Sequence, residues 1–333
     1  MAATIKMVAE RAGVSVATVS KYLNGGNVYK ENAIRIQKAV DELDYKLNDV
    51  ARSLKTNKSY IIGVLAASIQ SNFIAEIIST LQCSLANYGY STLIVDYQED
   101  EVLEKKQLDV LLKKKVDGIV LFPFQNEKEI VHLIQKEKIP VLMIDNLIQD
   151  VECDAVVTNN RQGVYEAVKQ LVSYNHSRIG MVTGPLKMYT ARERLNGYLD
   201  ALRDSQIEID EKLIAVADYD IDSGYNCMKV LIECEERPTA VLVANYYMAI
   251  GVLKVLHENN IRIPEDMSVI SVDELEFSRV LDTPISSIKQ LRKEMGDMAA
   301  GIIVDRIRGE ISDFPKIVYL DTELIWTRSV RPI

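Results

Sequence analysis

Thr4-Ile5-Lys6-Met7-Val8-Ala9-Glu10-Arg11-Ala12-Gly13-Val14-Ser15-Val16-Ala17-Thr18-Val19-Ser20 reads as two short helices joined by a tight turn. Apolar residues recur at three- and four-residue spacing in Ile5–Arg11, in Ser15–Asn24 and again in Glu31–Leu43. Thr4 and Ser15 stand just ahead of the first two periods, where a side-chain oxygen can accept from an orphan amide of the first turn. Ala9 is small where two helices must cross, and Gly13 falls where the turn needs a permissive backbone. Val8, Val14 and Val19 can form the shared apolar seam. The second helix then offers Ser15, Val16, Ala17, Thr18, Ser20 and Lys21 to a DNA major groove. Hydroxyls there bond base edges or phosphate, Val16 and Ala17 suit thymine methyls, and Lys21 can reach guanine O6 and N7. Spacing alone also fits a plain three-helix cap on a larger body.

Working outward, the charge is uneven. The 333 residues carry 39 basic and 48 acidic side chains, a formal net charge of −9. Residues 1–58 hold ten basic and six acidic residues, leaving a head at +4 and a remainder at −13. A small basic head on an acidic body implies that only the head meets a polyanion. The start lacks a secretory h-region, and the longest nearly apolar run, Tyr60–Ile69, is about half of what spans a bilayer, so a cytoplasmic location without membrane contact is expected. The four scattered cysteines form no CxxC pair, and the three histidines have no ligand spacing, so neither a disulfide nor a metal is expected. The chain has no GxSxG, GxxxxGK[ST] or GxGxxG motif, so no enzyme and no cofactor is expected.

After Ser59 the pattern becomes strand–helix alternation: Ile61–Ala67 then Ile74–Tyr88, Thr92–Val95 then Val102–Lys114, Gly118–Phe122 then Lys128–Lys136, and Val141–Ile144. A second series starts at Ala155–Thr158 and continues with Val164–Tyr174, Ile179–Val182, Arg192–Leu202, Ala240–Ala244, Met248–Glu258 and Val269–Val272. Such alternation means βαβ units and parallel sheets, here in two similar α/β lobes that join near 159–162. The expected fold is a small all-α helix-turn-helix domain followed by a two-lobe α/β body. The body starts at residue 60, after a polar stretch, Leu47–Lys58, without Gly or Pro.

The head resembles the lactose-repressor/galactose-repressor (LacI/GalR) family of bacterial transcription regulators. The resemblance lies in Thr4-Ile5-Lys6-x-Val8-Ala9-x-x-Ala12-Gly13-Val14-Ser15-x-Ala17-Thr18-Val19-Ser20-x-x-Leu23-Asn24-Gly25 and continues in Tyr45-x-x-Asn48-x-x-Ala51-Arg52-Ser53-Leu54. It runs through nearly the whole chain and implies a division into residues 1–46 (DNA-binding), 47–59 (hinge) and 60–333, the last resembling periplasmic sugar-binding proteins. In that scheme the N-lobe comprises about 60–160 plus 291–320, and the C-lobe about 161–290 plus 321–333. The resemblance adds Thr4, Asn24, Asn48, Ala51, Arg52, Leu54 and Lys55 to the DNA-binding residues. Asn48–Asn57 would form a hinge helix on DNA, with Leu54 wedged between central base pairs of the minor groove and Ala51 packed beside it. Arg52, Lys55 and Lys58 would serve phosphates. Without the resemblance, Leu54 reads as docking the linker on the body. Three departures affect the operator sequence: Met7 for Asp, Lys21 for the forked Arg, and Leu47 for Pro.

Ligands of open α/β sheets sit beyond the carboxyl ends of strands. Asp145, Asn245 and Asp273 follow the strands 140–144, 241–244 and 269–272, and Arg194 lies in the helix 191–198. By resemblance these four bind the hydroxyls or anionic groups of an effector, with Phe73, Tyr219 and Gln290 lining the same pocket. Carboxylates accept from vicinal hydroxyls while Arg and Asn donate back, which suits a sugar or sugar phosphate. Read singly, a strand-end Asp also fits a helix N-cap, Arg194 a surface ion pair, and the two aromatics the core. Asn245-Tyr246 and Ser271-Val272-Asp273-Glu274 depart from the family's Asn-Asp and Gly-Phe-Asp-Asp. Met188 stands where the purine-responsive branch has an arginine, which argues against a nucleobase. The implied protein is a homodimeric repressor of carbohydrate genes on a pseudo-palindromic operator. Its alternatives are a catabolite-control regulator with a phosphorylated carrier protein as coeffector, and a sugar-binding transport component. Residues 324–327 read as a final strand, and no leucine heptad follows, so a tetramer of the lactose-repressor kind is not expected.

Overall fold

The computed structural model describes residues 3–23, 26–45, 58–124 and 128–333. The chain divides into two compact units, Met1–Ser59 and Tyr60–Ile333. In the first, helices α1 (Ile5–Ala12), α2 (Val16–Leu23) and α3 (Lys30–Glu42) enclose a core of Val8, Ala9, Ala12, Val19, Ile36 and Ala39. Val14 packs against this core, so the expected seam forms. Thr4 caps α1 by accepting from the Met7 amide at 3.4 Å. Gly13 ends α1 in the left-handed region at φ 62°, a conformation that carries no Cβ penalty in glycine. The turn therefore reverses within three residues and sets α2 across α1.

The second unit alternates strand and helix. Its first sheet uses β1 (Ile61–Ala66), β2 (Ser91–Asp96), β3 (Gly118–Leu121), β4 (Val141–Ile144) and β5 (Asp154–Thr158). Between them run α4 (Asn72–Asn87), α5 (Glu101–Lys113) and α6 (Lys128–Lys136). Its second sheet uses β6 (Ile179–Thr183), β7 (Ile214–Val216), β8 (Ala240–Val243), β9 (Ser268–Val272) and β10 (Ser286–Gln290). Here the helices are α7 (Asn160–Ser173), α8 (Tyr189–Asp204), α9 (Ile221–Ile232) and α10 (Tyr246–Glu258). The chain then returns through α11 (Arg292–Arg308), β11 (Ile317–Leu320) and β12 (Thr322–Ile325).

The sheet orders are β11-β5-β4-β3-β1-β2 and β12-β10-β9-β8-β6-β7. Both wind alike: each starts one strand in from an edge, places its second strand outside, then runs inward through the third to the fifth. All pairings of the first sheet are parallel; in the second, only β12 runs antiparallel to β10. The strands β3, β4 and β8 are buried throughout, as the β-branched runs of doubly covered parallel sheets must be. The chain passes between lobes three times, at Asn159, Leu291 and Asp321, and Asn159 Nδ2 donates to Asp321 Oδ1 at 3.3 Å. No helix among the described residues is long and apolar enough to cross a membrane, and all four cysteines are free.

The expected last strand is displaced: β12 covers Thr322–Ile325 because pairing with β10 sets its register from Gln290↔Thr322 to Ser287↔Ile325. Thr327 lies beyond the ladder, its amide donating to Ser286 Oγ at 3.0 Å.

Helices α7 and α8 meet at Gly197, where an added Cβ would collide with the Arg161 carbonyl. Gly301, on α11, faces open space with only the Tyr88 hydroxyl 3.9 Å from such a Cβ. Gly197→Ala should therefore lower unfolding free energy by roughly 1–3 kcal/mol. Gly301→Ala should raise it by about 0.5–1 kcal/mol. Urea unfolding of both variants checks the pair; equal effects would contradict the packing.

Candidate functional sites

The head presents α2 outward. Ser15, Ala17 and Lys21 are exposed, Val16 is 41 % exposed, and Thr18 and Ser20 are half-buried. Ser15 Oγ accepts from the Thr18 amide at 3.1 Å and lies 2.8 Å from the Thr18 hydroxyl. The same hydroxyl thus caps the helix and stands at its exposed end. Tyr22 donates to Gln37 Oε1 at 2.9 Å, which fixes the roll of α2 against α3. Thr4 is exposed at the start of α1. Asn24, Asn48, Ala51, Arg52, Leu54 and Lys55 lie outside the described residues.

In the body, the carboxyl ends of both sheets face a cleft of about 650 Å³. Phe73, Asp145, Arg194, Tyr219, Asn245, Asp273 and Gln290 all line it, so the structure brings the seven expected residues together. Asp145 and Asp273 hold equivalent places in the two windings. Each follows the fourth strand of its sheet, and each is left-handed, at φ 72° and 69°. Each amide donates to the fifth strand, Asp145 to the Val156 carbonyl and Asp273 to the Ile288 carbonyl, both at 3.0 Å. Aspartate tolerates this backbone region better than most residues, and such conformations concentrate at functional sites.

Arg194 is 4 % exposed. Its Nε donates to Asn160 Oδ1 and its Nη1 to the Ala244 carbonyl, both at 2.7 Å, tying α8 to the start of α7 and the end of β8. A buried guanidinium needs such partners, because an unpaired buried charge is strongly unfavourable. The surface-ion-pair reading of Arg194 is therefore set aside. Burial pushes the Asp145 carboxyl up to about 6; Arg194 pulls it back and Asp273 pushes it further up. Asp145 Oδ2 accepts from Asn146 Nδ2 at 3.2 Å, while Oδ1 is buried without a partner among the described residues. Gln290 Nε2 donates to Asp273 Oδ1 at 2.9 Å, and its Oε1 is likewise buried and unpartnered.

Asn245 has a double role. Its Oδ1 accepts from the Met248 amide at 2.8 Å as the N-cap of α10, and its Nδ2 donates to the Tyr219 carbonyl at 3.0 Å. The helix-cap reading holds for this residue even though it lines the cleft. Tyr219 fits because Gly184 has no side chain: a Cβ there would enter the phenol ring. Burial also holds the Tyr219 hydroxyl above its ordinary range.

The structure adds lining residues that the sequence reading passed over. Asn146 Oδ1, from the first lobe, accepts from the Thr190 amide and hydroxyl of the second, at 3.3 and 3.2 Å. The Tyr247 hydroxyl donates across the cleft to the Gln70 carbonyl at 3.0 Å. Arg292 pairs with Glu76 at 3.0 Å and with Glu276 at 3.5 Å. The adjacency of Asn146 to a strand-end Asp was a signal in the sequence; Tyr247 and Arg292 carried none, since their partners are remote in the chain.

A helix-turn-helix head followed by a two-lobe, doubly wound α/β body is the architecture of a DNA-binding transcription regulator. Residues 4–52 match the family model of bacterial regulatory proteins, lacI family, and residues 168–330 that of a periplasmic binding protein-like domain. The chain is 30 % identical to the HTH-type transcriptional repressor PurR of Actinobacillus pleuropneumoniae serotype 3, over 99 % of this chain and 98 % of that one. It aligns with a lac repressor dimer bound to operator and the anti-inducer ONPF at a TM-score of 0.83 and 25 % identity, covering 99 % of each chain. It also aligns with the transcriptional regulator CelR in its cellobiose complex, at 0.76 and 26 % identity, covering 98 % of this chain and 100 % of that one. The chain belongs to the lacI family of bacterial regulatory proteins, and it is a DNA-binding regulator of transcription rather than an enzyme.

The raised Asp145 carboxyl gives a pH test. A carboxyl whose folded pKa lies above its unfolded value favours folding while protonated, so its contribution is complete below about pH 4 and is lost as pH rises through about 6. Asn mimics the protonated form and tolerates the left-handed backbone. Asp145→Asn should therefore be more stable than the parent at pH 8, by on the order of 2 kcal/mol. The gap should shrink toward pH 4. Urea midpoints across that range check it, and a gap independent of pH would refute the assignment.

Proposed function

We propose that this regulator represses carbohydrate genes from the cytoplasm, as a homodimer on a pseudo-palindromic operator, and that a small sugar-like effector in the cleft controls it. The observation that carries the effector reading is the pair of buried, unpartnered acceptors, Asp145 Oδ1 and Gln290 Oε1, in one cleft with Phe73 and Tyr219. Acceptors in a desolvated site demand donors, and vicinal hydroxyls on a ring with an apolar face supply both donors and stacking surface. The likeness to a regulator in complex with cellobiose supports this reading. The likeness to a lac repressor dimer bound to operator supports the two-fold assembly. Residues 1–46 would read DNA, 47–59 would form the hinge, and 60–333 would sense the effector, with lobes of 60–160 plus 291–320 and 161–290 plus 321–333.

On DNA, Ser15, Val16, Ala17, Thr18, Ser20 and Lys21 would face the major groove, with Thr4 and Asn24 at its margin. Asn48, Ala51, Arg52, Leu54 and Lys55 would act in the minor groove at the operator centre. Effector binding would shift the lobes and thereby the hinge pair, coupling the two sites by about 1–3 kcal/mol.

Two measurements test this. With an operator selected from random duplexes, Leu54→Ala should cut the ratio of specific to non-specific affinity by about ten-fold or more, the cost of a lost wedge. An unchanged ratio would remove Leu54 from that role. Calorimetry against free sugars should find one whose binding disappears in Asp273→Ala; full retention would place the ligand elsewhere.

A further inference from the structure

The electrostatics of the cleft narrow the chemistry of its ligand, and this step rests on the sugar reading given above. Five carboxylates among the described residues line the cleft: Glu99 and Asp145 from the first lobe, and Asp220, Asp222 and Asp273 from the second. Among the described residues only two cationic side chains line it, Arg194 and Arg292. Both already hold partners. Arg194 spends Nε and Nη1 on Asn160 and Ala244, and Arg292 divides its guanidinium between Glu76 and Glu276. Glu99 and Asp220 come from opposite lobes, yet the Glu99 carboxyl feels Asp220: it is held above its ordinary range by partial burial, then by Asp96, then by Asp220. The two orphan atoms, Asp145 Oδ1 and Gln290 Oε1, are both acceptors, and Gln290 is 2 % exposed.

We infer that the cleft selects an uncharged, hydroxyl-rich sugar and rejects the phosphorylated or carboxylated form of the same sugar. A hydroxyl can donate to either orphan acceptor. A phosphate ester replaces a donor with acceptor oxygens and brings about −1.5 to −2 of charge toward a lining already in carboxylate excess. The two arginines of the described lining do not balance its five carboxylates, Arg292 being shared already between Glu76 and Glu276, and like charges brought together in a cleft are unfavourable.

Calorimetry tests the inference with glucose, galactose, fructose, ribose, trehalose, sucrose and cellobiose, each beside its phosphate ester. An unesterified sugar should bind, with its ester weaker by about a hundred-fold or more. In the double variant Glu99→Gln, Asp220→Asn the gap should narrow by about ten-fold, since two of the repelling charges are gone. Asparagine keeps the cap that Asp220 provides to α9 through the Ser223 amide, so this helix start survives the change. An ester that binds as tightly as its parent sugar overturns the inference and leaves the sugar reading standing. A gap that the double variant does not move makes the exclusion one of shape and overturns the charge argument. Failure of every sugar and every ester to bind overturns both readings.

Discussion

The buried guanidinium of Arg194 ties together the elements behind the cleft. Arg194 cannot be left unpaired at 4 % exposure, so the chain around it is arranged to receive it: Asn160 at the start of α7 and the Ala244 carbonyl at the end of β8. Those two partners belong to different crossings of the fold, one beside the first interlobe passage and one at the middle of the second sheet. The position of Arg194 is consequently fixed by a side chain and a carbonyl of other elements, not by neighbours on its own helix. Its field reaches Asp145 on the other lobe, where it opposes the effect of burial. The lobes are thus linked by charge as well as by chain.

That link runs through two structurally equivalent aspartates. Asp145 and Asp273 leave matching strands with the same left-handed turn and the same amide donation to the fifth strand. Their side chains are nevertheless treated differently. Each accepts one side-chain donor, Asp145 from Asn146 and Asp273 from Gln290, but the second oxygen of Asp145 is buried without a partner among the described residues. The duplicate winding therefore carries two carboxylates of which Asp145 alone buries an unpaired acceptor. Direct contacts hold the lobes together around this asymmetric pair, from Asn146 to Thr190 and from Tyr247 to Gln70. Each is a small number of hydrogen bonds between elements that are rigid in themselves, the kind of contact that a differential ligand affinity can rebalance.

The head was legible in the sequence because its determinants are local. Thr4, Gly13 and Ser15 act on residues within four positions of themselves, and the valine seam follows helical spacing. The central strands were legible for a similar reason: continuous β-branched runs have few other uses. By contrast, α11 was not assigned, because it is buried on several sides, at Met295, Gly296, Ala299, Ala300, Ile302, Ile303 and Val304, and a helix covered on several sides shows no one-faced period. Strand β7 is three partly exposed residues at a sheet edge, too short to carry a pattern. Helix α7 starts at Asn160, four residues ahead of its apolar period, because the first turn buries Asn160 and Gly163 against the crossover rather than a hydrophobic face. The cleft residues were found through resemblance. Their chemistry could be argued from strand ends, but Asn245 is a reminder that such a position can serve a helix cap and line a cleft at once.

The three passages between lobes have a consequence for how the molecule is made. Strands β1 to β5 are synthesised first, and the sixth strand of their sheet, β11, comes only at Ile317–Leu320, more than 150 residues later in the sequence. The second sheet likewise waits for Thr322–Ile325. During translation both sheets are left with open edges, β5 in one and β10 in the other, each presenting unpaired amides and carbonyls of the kind that template association with other chains. Nine consecutive residues, 317–325, close both edges together. The last strand of each lobe therefore arrives in one late segment, and a nascent chain stalled before residue 317 holds two sheets that each lack their last strand.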